Sequence, residues 1–101
     1  HELRNTEGCR VTAHLLVPGW TTTGNRPHNL GAWLPEQVID RMIGALEAGD
    51  FYIVCPDNEV TPEMDRARIL WGAGDITENR PPLSRWHPDW QDAFAAFKPG
   101  E

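Results

Sequence analysis

The sequence predicts an α/β protein in which two parallel strands, joined by a crossover helix, are followed by a helical tail. Residues 10–17 (RVTAHLLV) are β-branched and apolar without clean alternation, which is typical of a parallel strand covered on both faces. Residues 51–55 (FYIVC) form a second short apolar run. A helical repeat lies between the two runs, and this order favours a right-handed crossover between parallel strands.

The crossover helix has clear start and stop signals. Residues 1–9 are typical of a helix end and a loop, and residues 24–34 have the composition of a second, longer loop. Pro35 then opens the helix over residues 36–48, whose apolar positions recur at helical spacing. Gly49 is a natural residue to end it.

The tail after the second strand is predicted to be helical with an irregular middle. A helix starts at Thr61, with Pro62 in its first position, and the run from Gly72 to Asp75 is expected to stop it. Residues 76–87 have no regular pattern, and a last short helix is predicted to open at His87.

All five tryptophans lie after the first strand, and the four beyond residue 30 allow three interpretations. They could form a binding surface, pack the tail onto the rest of the domain, or cover a substrate mouth as a lid. The sequence does not separate these alternatives. The four residues are Trp33, Trp71, Trp86 and Trp90.

Composition and charge exclude several classes of function. The chain has 101 residues, enough for one small domain, and its formal net charge of −6 argues against nucleic-acid binding. Its longest apolar run is too short for a membrane span. Cys9 and Cys55 are isolated, which favours reduced thiols in a cytoplasmic protein. The four histidines have no metal-ligand spacing, so no metal site is predicted.

Two further groups of polar residues carry only weak signals. Ser84, His87 and Asp89 are the residue types of a nucleophile triad, but residues this close in sequence rarely take up that geometry. The acidic residues from Asp57 to Asp65 lack the spacing of a calcium loop, and we expect a solvated helix start there.

The end of the first strand is the best candidate for a ligand site. Ligands of open parallel sheets bind beyond the carboxyl ends of the strands, and Pro18-Gly19 stands at such an end. A glycine there lets the backbone approach a flat ligand closely, and threonine hydroxyls follow at once. The alternative is a Pro-Gly turn that merely ends the strand.

The ordered set of elements resembles the short-chain dehydrogenase/reductase (SDR) family. In that family the corresponding strand ends in P-G-x-x-x-T, as in the segment Val11–Thr23 (VTAHLLVPGWTTT). The loop, helix and strand that follow match in order and length. Residues 1–4 resemble the end of the helix that carries the family's catalytic Tyr and Lys, so the match covers residues 1–56.

The resemblance implies a Rossmann-like doubly wound parallel sheet, with residues 1–56 as its C-terminal part. Residues 57–101 would be a C-terminal extension packing on the same domain. Two strands do not make a stable parallel sheet by themselves, and the sequence begins at His1 rather than Met. We therefore expect the chain to be a fragment of a longer protein.

The resemblance also assigns contacts to a bound NAD or NADP. Pro18 and Gly19 would shape the floor under the nicotinamide, and the Thr21 backbone would pair with its carboxamide. Thr23 would touch the carboxamide or the cofactor phosphates. Trp20, beside the ring, would line the substrate pocket.

No catalytic residue is predicted within the chain. The family's Gly-rich phosphate loop, catalytic Ser and Tyr-x-x-x-Lys have no counterpart: Tyr52 has no Lys four residues on, and Ser84 lies in the tail. The resemblance implies an oxidoreductase that transfers hydride between the cofactor and a small carbonyl or alcohol. This portion alone is expected to be inactive, and the complete enzyme is expected to form homo-oligomers. The alternative is a non-catalytic α/β binding module that docks a partner through its Trp-rich tail.

Overall fold

The computed structural model describes residues 1–100 as two compact units, of which the first ends at Glu59 and the second begins at Val60. The α/β class is confirmed, because a two-stranded parallel sheet is combined with helices. In chain order the elements are α1 (Glu2–Asn5), β1 (Leu15–Val17), α2 (Pro35–Ala48), β2 (Tyr52–Val54), α3 (Pro62–Thr77), a 3-10 helix (Ser84–Trp86) and α4 (Gln91–Ala96).

The first strand is much shorter than the sequence indicates. The predicted strand over residues 10–17 is wrong in its first half, since β1 begins at Leu15, which pairs with Tyr52. The segment that forms β2 enters the sheet only after α2 has ended at Gly49, so residues 10–13 have no strand beside them. The second strand covers Tyr52–Val54 rather than residues 51–55, although Phe51 and Cys55 still form backbone hydrogen bonds with β1.

Helix α2 forms as predicted. Pro35 takes its first position, and the side chain of Gln37 accepts a hydrogen bond from the Leu34 N–H at 2.8 Å. Gly49 ends the helix in the left-handed conformation, with φ of 80°, where a side chain would be strained.

The core of the first unit lies between α2 and one face of the sheet. Its buried residues are Val38, Ala45, Ile53 and Cys55, with Leu16, Trp33 and Met42 packed against them. Because side chains alternate along a strand, the opposite face carries Leu15, Val17 and Tyr52. These three side chains are exposed, Tyr52 to 72%. The sheet is therefore covered on one face only within this unit.

Helix α3 starts as predicted and ends later. The Thr61 hydroxyl accepts a hydrogen bond from the Met64 N–H, as expected of a helix cap. The predicted stop at Gly72–Asp75 is wrong, because the helix continues to Thr77. Bonds from residues beyond the helix hold its last turns, and they outweigh the weak helix propensity of two glycines.

Trp71 is the centre of the second unit. Its indole is buried, and three aromatic rings meet it edge-on with centroids 5.3–6.5 Å away. They belong to Trp90, Phe94 and Phe97. The guanidinium of Arg80 lies 3.9 Å from the centroid of the Trp71 ring, a cation–π contact.

The segment between α3 and α4 is only partly irregular. Residues 84–86 form a turn of 3-10 helix, which the sequence did not indicate. The last helix begins at Gln91 rather than at His87, because residues 87–90 form a turn closed by a hydrogen bond from the Trp90 N–H to the His87 carbonyl. None of the helices within residues 1–100 combines the length and apolarity needed to cross a membrane.

Candidate functional site

The predicted ligand loop, Pro18–Thr23, leaves the carboxyl end of β1 close to the chain that leaves β2. A Cβ added to Gly19 would lie 3.0 Å from the carbonyl oxygen of Cys55 and 3.1 Å from Oδ2 of Asp57. Such contacts are tighter than ordinary van der Waals packing. Gly19 is thus required by the close approach of two backbones, before any ligand is considered.

Asp57 joins the two strand exits. Its Oδ2 accepts a hydrogen bond from the Trp20 N–H at 2.9 Å, and its Oδ1 accepts one from the Glu59 N–H at 2.8 Å. The expectation that Asp57 belongs to a solvated helix start is therefore wrong. Its position directly after the second strand, beside the carboxyl end of the first, was the signal that could have identified it.

A short parallel bridge orients the backbone of Thr21. The Trp33 N–H donates to the Trp20 carbonyl and the Thr22 N–H donates to the Trp33 carbonyl, both at 2.9 Å. In a parallel bridge the residue between these two bonds directs its own N–H and C=O away from the partner. Within residues 1–100, the Thr21 N–H and C=O have no hydrogen-bond partner. They are a free donor and a free acceptor on the same residue.

The three threonine hydroxyls differ in availability. That of Thr21 donates to the Gly19 carbonyl at 3.0 Å, and that of Thr22 is 2.7 Å from Nδ1 of His28. Thr23 is exposed, and its hydroxyl bonds to no residue of the described range 1–100. The hydroxyls of Thr21 and Thr22 are engaged within the loop, which leaves Thr23 open to a ligand.

Asn58 holds the loop over residues 24–34 at the carboxyl end of the sheet. Its side-chain amide donates to the carbonyls of Leu30, at 2.8 Å, and Ala32, at 3.3 Å, and its N–H donates to Gly31. No supporting role in the site was predicted for Asn58 from the sequence. These bonds tie residues 57–59 to the first unit, whose last residue is Glu59.

A cleft lies at the other end of the strands. It encloses about 600 Å³, and its lining includes Arg4, Cys9, His14 and Tyr52. Both ring nitrogens of His14 are engaged there, Nδ1 with the Asp50 carbonyl at 2.5 Å and Nε2 with a threonine hydroxyl at 2.8 Å. Ligands of parallel sheets bind at the carboxyl ends, so we assign the candidate site to the Pro18–Thr23 loop.

Ser84 does not belong to a catalytic triad. It is fully buried, its hydroxyl accepts a hydrogen bond from the Trp71 indole N–H at 2.7 Å, and it bonds to the Asp75 carboxylate. His87 meets Ser84 through a backbone hydrogen bond and has its ring 4.0 Å from Asp89. A buried serine that is already bonded to a carboxylate and an indole presents no nucleophile.

The tryptophans of the tail have different environments. Trp71 is buried and Trp90 half-buried in the aromatic cluster, whereas Trp86 is 62% exposed beside the guanidinium of Arg85. Trp33 belongs to the first unit. Most of the aromatic surface of the tail is thus used to fold the second unit.

Two further observations bear on metals and on thiol chemistry. Within residues 1–100 no group of three or more His, Cys, Asp or Glu side chains is arranged to hold a metal ion. Burial raises the pKa of the Cys55 thiol, and the charge of Arg41 offsets this only in part. Cys55 is therefore a core residue and not a reactive one.

Comparison with known protein families, curated proteins and solved structures finds no match to this chain.

Proposed function

We propose that the chain is the C-terminal portion of an NAD(P)-dependent short-chain oxidoreductase with a Rossmann-like sheet. The observation that carries the proposal is the free N–H and C=O of Thr21 at the carboxyl end of β1. A carboxamide offers a carbonyl acceptor and an NH2 donor, so these two backbone groups could pair with the nicotinamide amide.

The rest of the loop supports the same assignment. Gly19 carries no side chain, so a flat ligand can approach the backbone there closely. The unpaired hydroxyl of Thr23 can reach a carboxamide or a phosphate oxygen. Trp20, 45% exposed, belongs to the same loop and would form a wall of the substrate pocket. The cofactor would supply hydride chemistry, and the role of these residues is to bind and orient its nicotinamide.

The uncovered face of the sheet also favours the proposal. Leu15, Val17 and Tyr52 expose apolar side chains on a parallel sheet, and such sheets normally carry helices on both faces. In the proposed enzyme, other parts of a doubly wound domain cover this face and supply the catalytic Ser, Tyr and Lys. The 101-residue chain should then show no turnover of carbonyl or alcohol substrates, and robust turnover would contradict the proposal.

Cofactor contact can be tested by titrating the ¹⁵N-labelled chain with NADH. We expect backbone amide shifts at residues 18–23, led by Thr21. Thr21→Pro removes the donor and should abolish these shifts, whereas Thr21→Val retains it and serves as the matched control. The Trp33 amide reports whether the loop is still folded. Shifts confined to the cleft at the other end of the strands would assign the ligand there and refute the role of Thr21.

A further inference from the structure

The side chains of Trp20 and Glu59 both approach the Cα of Gly31, which carries no side chain. A Cβ on Gly31 would lie 2.6 Å from Oε1 of Glu59 and 2.8 Å from Cζ3 of the Trp20 indole. Both side chains therefore occupy the space beside this glycine, and they are neighbours of each other. We call this group of three residues the Trp20 edge.

The backbone holds both side chains of the Trp20 edge in place. The N–H groups of Trp20 and Glu59 donate to the two oxygens of the same carboxylate, that of Asp57. The Trp20 carbonyl is bound as well, by the Trp33 N–H. An aromatic ring and a carboxylate are thus presented together by backbones with little freedom to separate, which lowers the entropy cost of binding a ligand between them.

The exposed parts of the Trp20 edge have no partner of opposite charge. Trp20 is 45% exposed and Glu59 is exposed. Within residues 1–100 no Lys, Arg or His side chain forms an ion pair with the Glu59 carboxylate. An aromatic face attracts cations through its ring quadrupole, and a carboxylate beside it adds Coulomb attraction. The formal net charge of −6 also raises the local concentration of cations.

We propose that the Trp20 edge binds the ammonium group of a small organic cation. An anionic ligand is disfavoured there, because it would meet the Glu59 carboxylate with Asp57 close behind. In the proposed oxidoreductase, the site would select amino alcohols or the corresponding amino carbonyl compounds. That assignment of substrate class rests on the proposed function, whereas cation binding itself does not.

The test uses choline and its uncharged isostere 3,3-dimethylbutan-1-ol as probes of the 101-residue chain. The indole N–H signal of Trp20, assigned by its loss in Trp20→Phe, is followed in ¹H–¹⁵N spectra during each titration. We expect a saturable shift with choline and binding at least about tenfold weaker with the neutral analogue, since only choline carries the charge. Equal binding of the two compounds would overturn the proposal.

Three variants separate a specific site from general attraction to an acidic protein. Glu59→Gln should weaken choline binding about tenfold, and Trp20→Leu should reduce it by at least as much. Glu47→Gln, at an exposed position near the end of α2, makes the same change in net charge and should leave the affinity unchanged. Trp20→Leu lacks the Trp20 indole, so choline binding to this variant is followed by the Trp33 indole signal. The same signal shows whether each variant is folded.

The outcomes distinguish this proposal from the proposed function. If Glu47→Gln weakens choline binding as much as Glu59→Gln, only net charge attracts the cation and the Trp20 edge is not a site. Choline binding without any NADH effect at Thr21 would support the cation site while refuting the cofactor assignment. NADH effects at Thr21 without choline binding would do the reverse.

Discussion

Gly19 lies where the chain leaving β1 passes the end of β2, and its missing side chain is a structural requirement. Besides Cys55 and Asp57, the carbonyl carbon of Pro56 would stand 3.3 Å from an added Cβ. All of these neighbours belong to one short segment that is itself held by hydrogen bonds. The segment has little freedom to move away, so added volume here must be accommodated as strain.

Gly19→Ala should therefore destabilise the protein by about 1–3 kcal/mol, the usual cost of overpacking. Gly44→Ala is the matched control, because a Cβ there meets nothing within 4 Å and the residue lies inside α2. It should stabilise the protein by about 0.5–1 kcal/mol, since alanine favours the helix. Urea denaturation followed by circular dichroism measures both changes. Equal stabilities for the two variants would contradict the close approach at Gly19.

At the level of single residues, the Pro18–Thr23 loop was predicted from the sequence, whereas the residues that hold it in place were not. Pro18 and Gly19 follow an apolar run, a signal that is local and was visible. The roles of Asp57 and Asn58 depend on the strand register, which places them beside residues 26 to 37 positions earlier. No local pattern encodes that pairing. The same holds for Gly31 and Glu59, whose proximity follows from the crossover as a whole.

Among the elements, those with strong internal signals were predicted accurately. Helix α2 has a proline at its start, an apolar repeat and a terminal glycine, and its bounds agree with the prediction. The limits of β1 depend on where its partner strand begins, and the end of α3 depends on side chains beyond the helix. Those two boundaries are set by tertiary contacts, and both were predicted incorrectly from the sequence.

Asp75 provides the main tertiary contact at the end of α3. The hydrogen bond from the Ser84 hydroxyl is the largest cause that lowers the pKa of this carboxyl; desolvation opposes it, and Arg80 lowers the pKa further. Folding thus favours the ionised form. The stabilisation is complete above the ordinary carboxyl pKa of about 3.9 and is lost as the pH falls below it, through the folded-state value.

Asp75→Asn should lower the melting temperature at pH 7 and flatten the loss of stability between about pH 4 and 2. The near-ultraviolet circular dichroism of the Trp71 cluster follows unfolding of this unit. Asp92→Asn, at an exposed position in the first turn of α4, is the control and should change both properties little. A variant of Asp75 with the same acid sensitivity as the original protein would contradict this role.

The molecule as a whole consists of two units with different kinds of core. The first packs one helix on one face of a small sheet, whereas the second surrounds a single indole with aromatic rings and a guanidinium. The sheet of the first unit leaves an apolar face and unpaired strand edges. Exposed parallel edges and apolar patches favour association between copies of a chain.

We expect the isolated chain to self-associate with increasing concentration, and Leu15→Lys to reduce this association by placing a charge on the uncovered face of the sheet. Leu30→Lys is the matched control, because Leu30 is 85% exposed on a loop rather than on the sheet. Sedimentation velocity over a range of concentrations measures the effect. A chain that stays monomeric throughout, or an equal effect of both substitutions, would contradict this expectation.

The buried thiol of Cys55 also makes the first unit a reporter of its own opening. An alkylating reagent cannot reach this sulfur in the closed state, and its raised pKa keeps it protonated. Cys9 is only half-buried and carries no such protection from packing. Labelling of Cys55 therefore proceeds through transient opening, and when reclosing is faster than alkylation its rate gives the local opening free energy under native conditions.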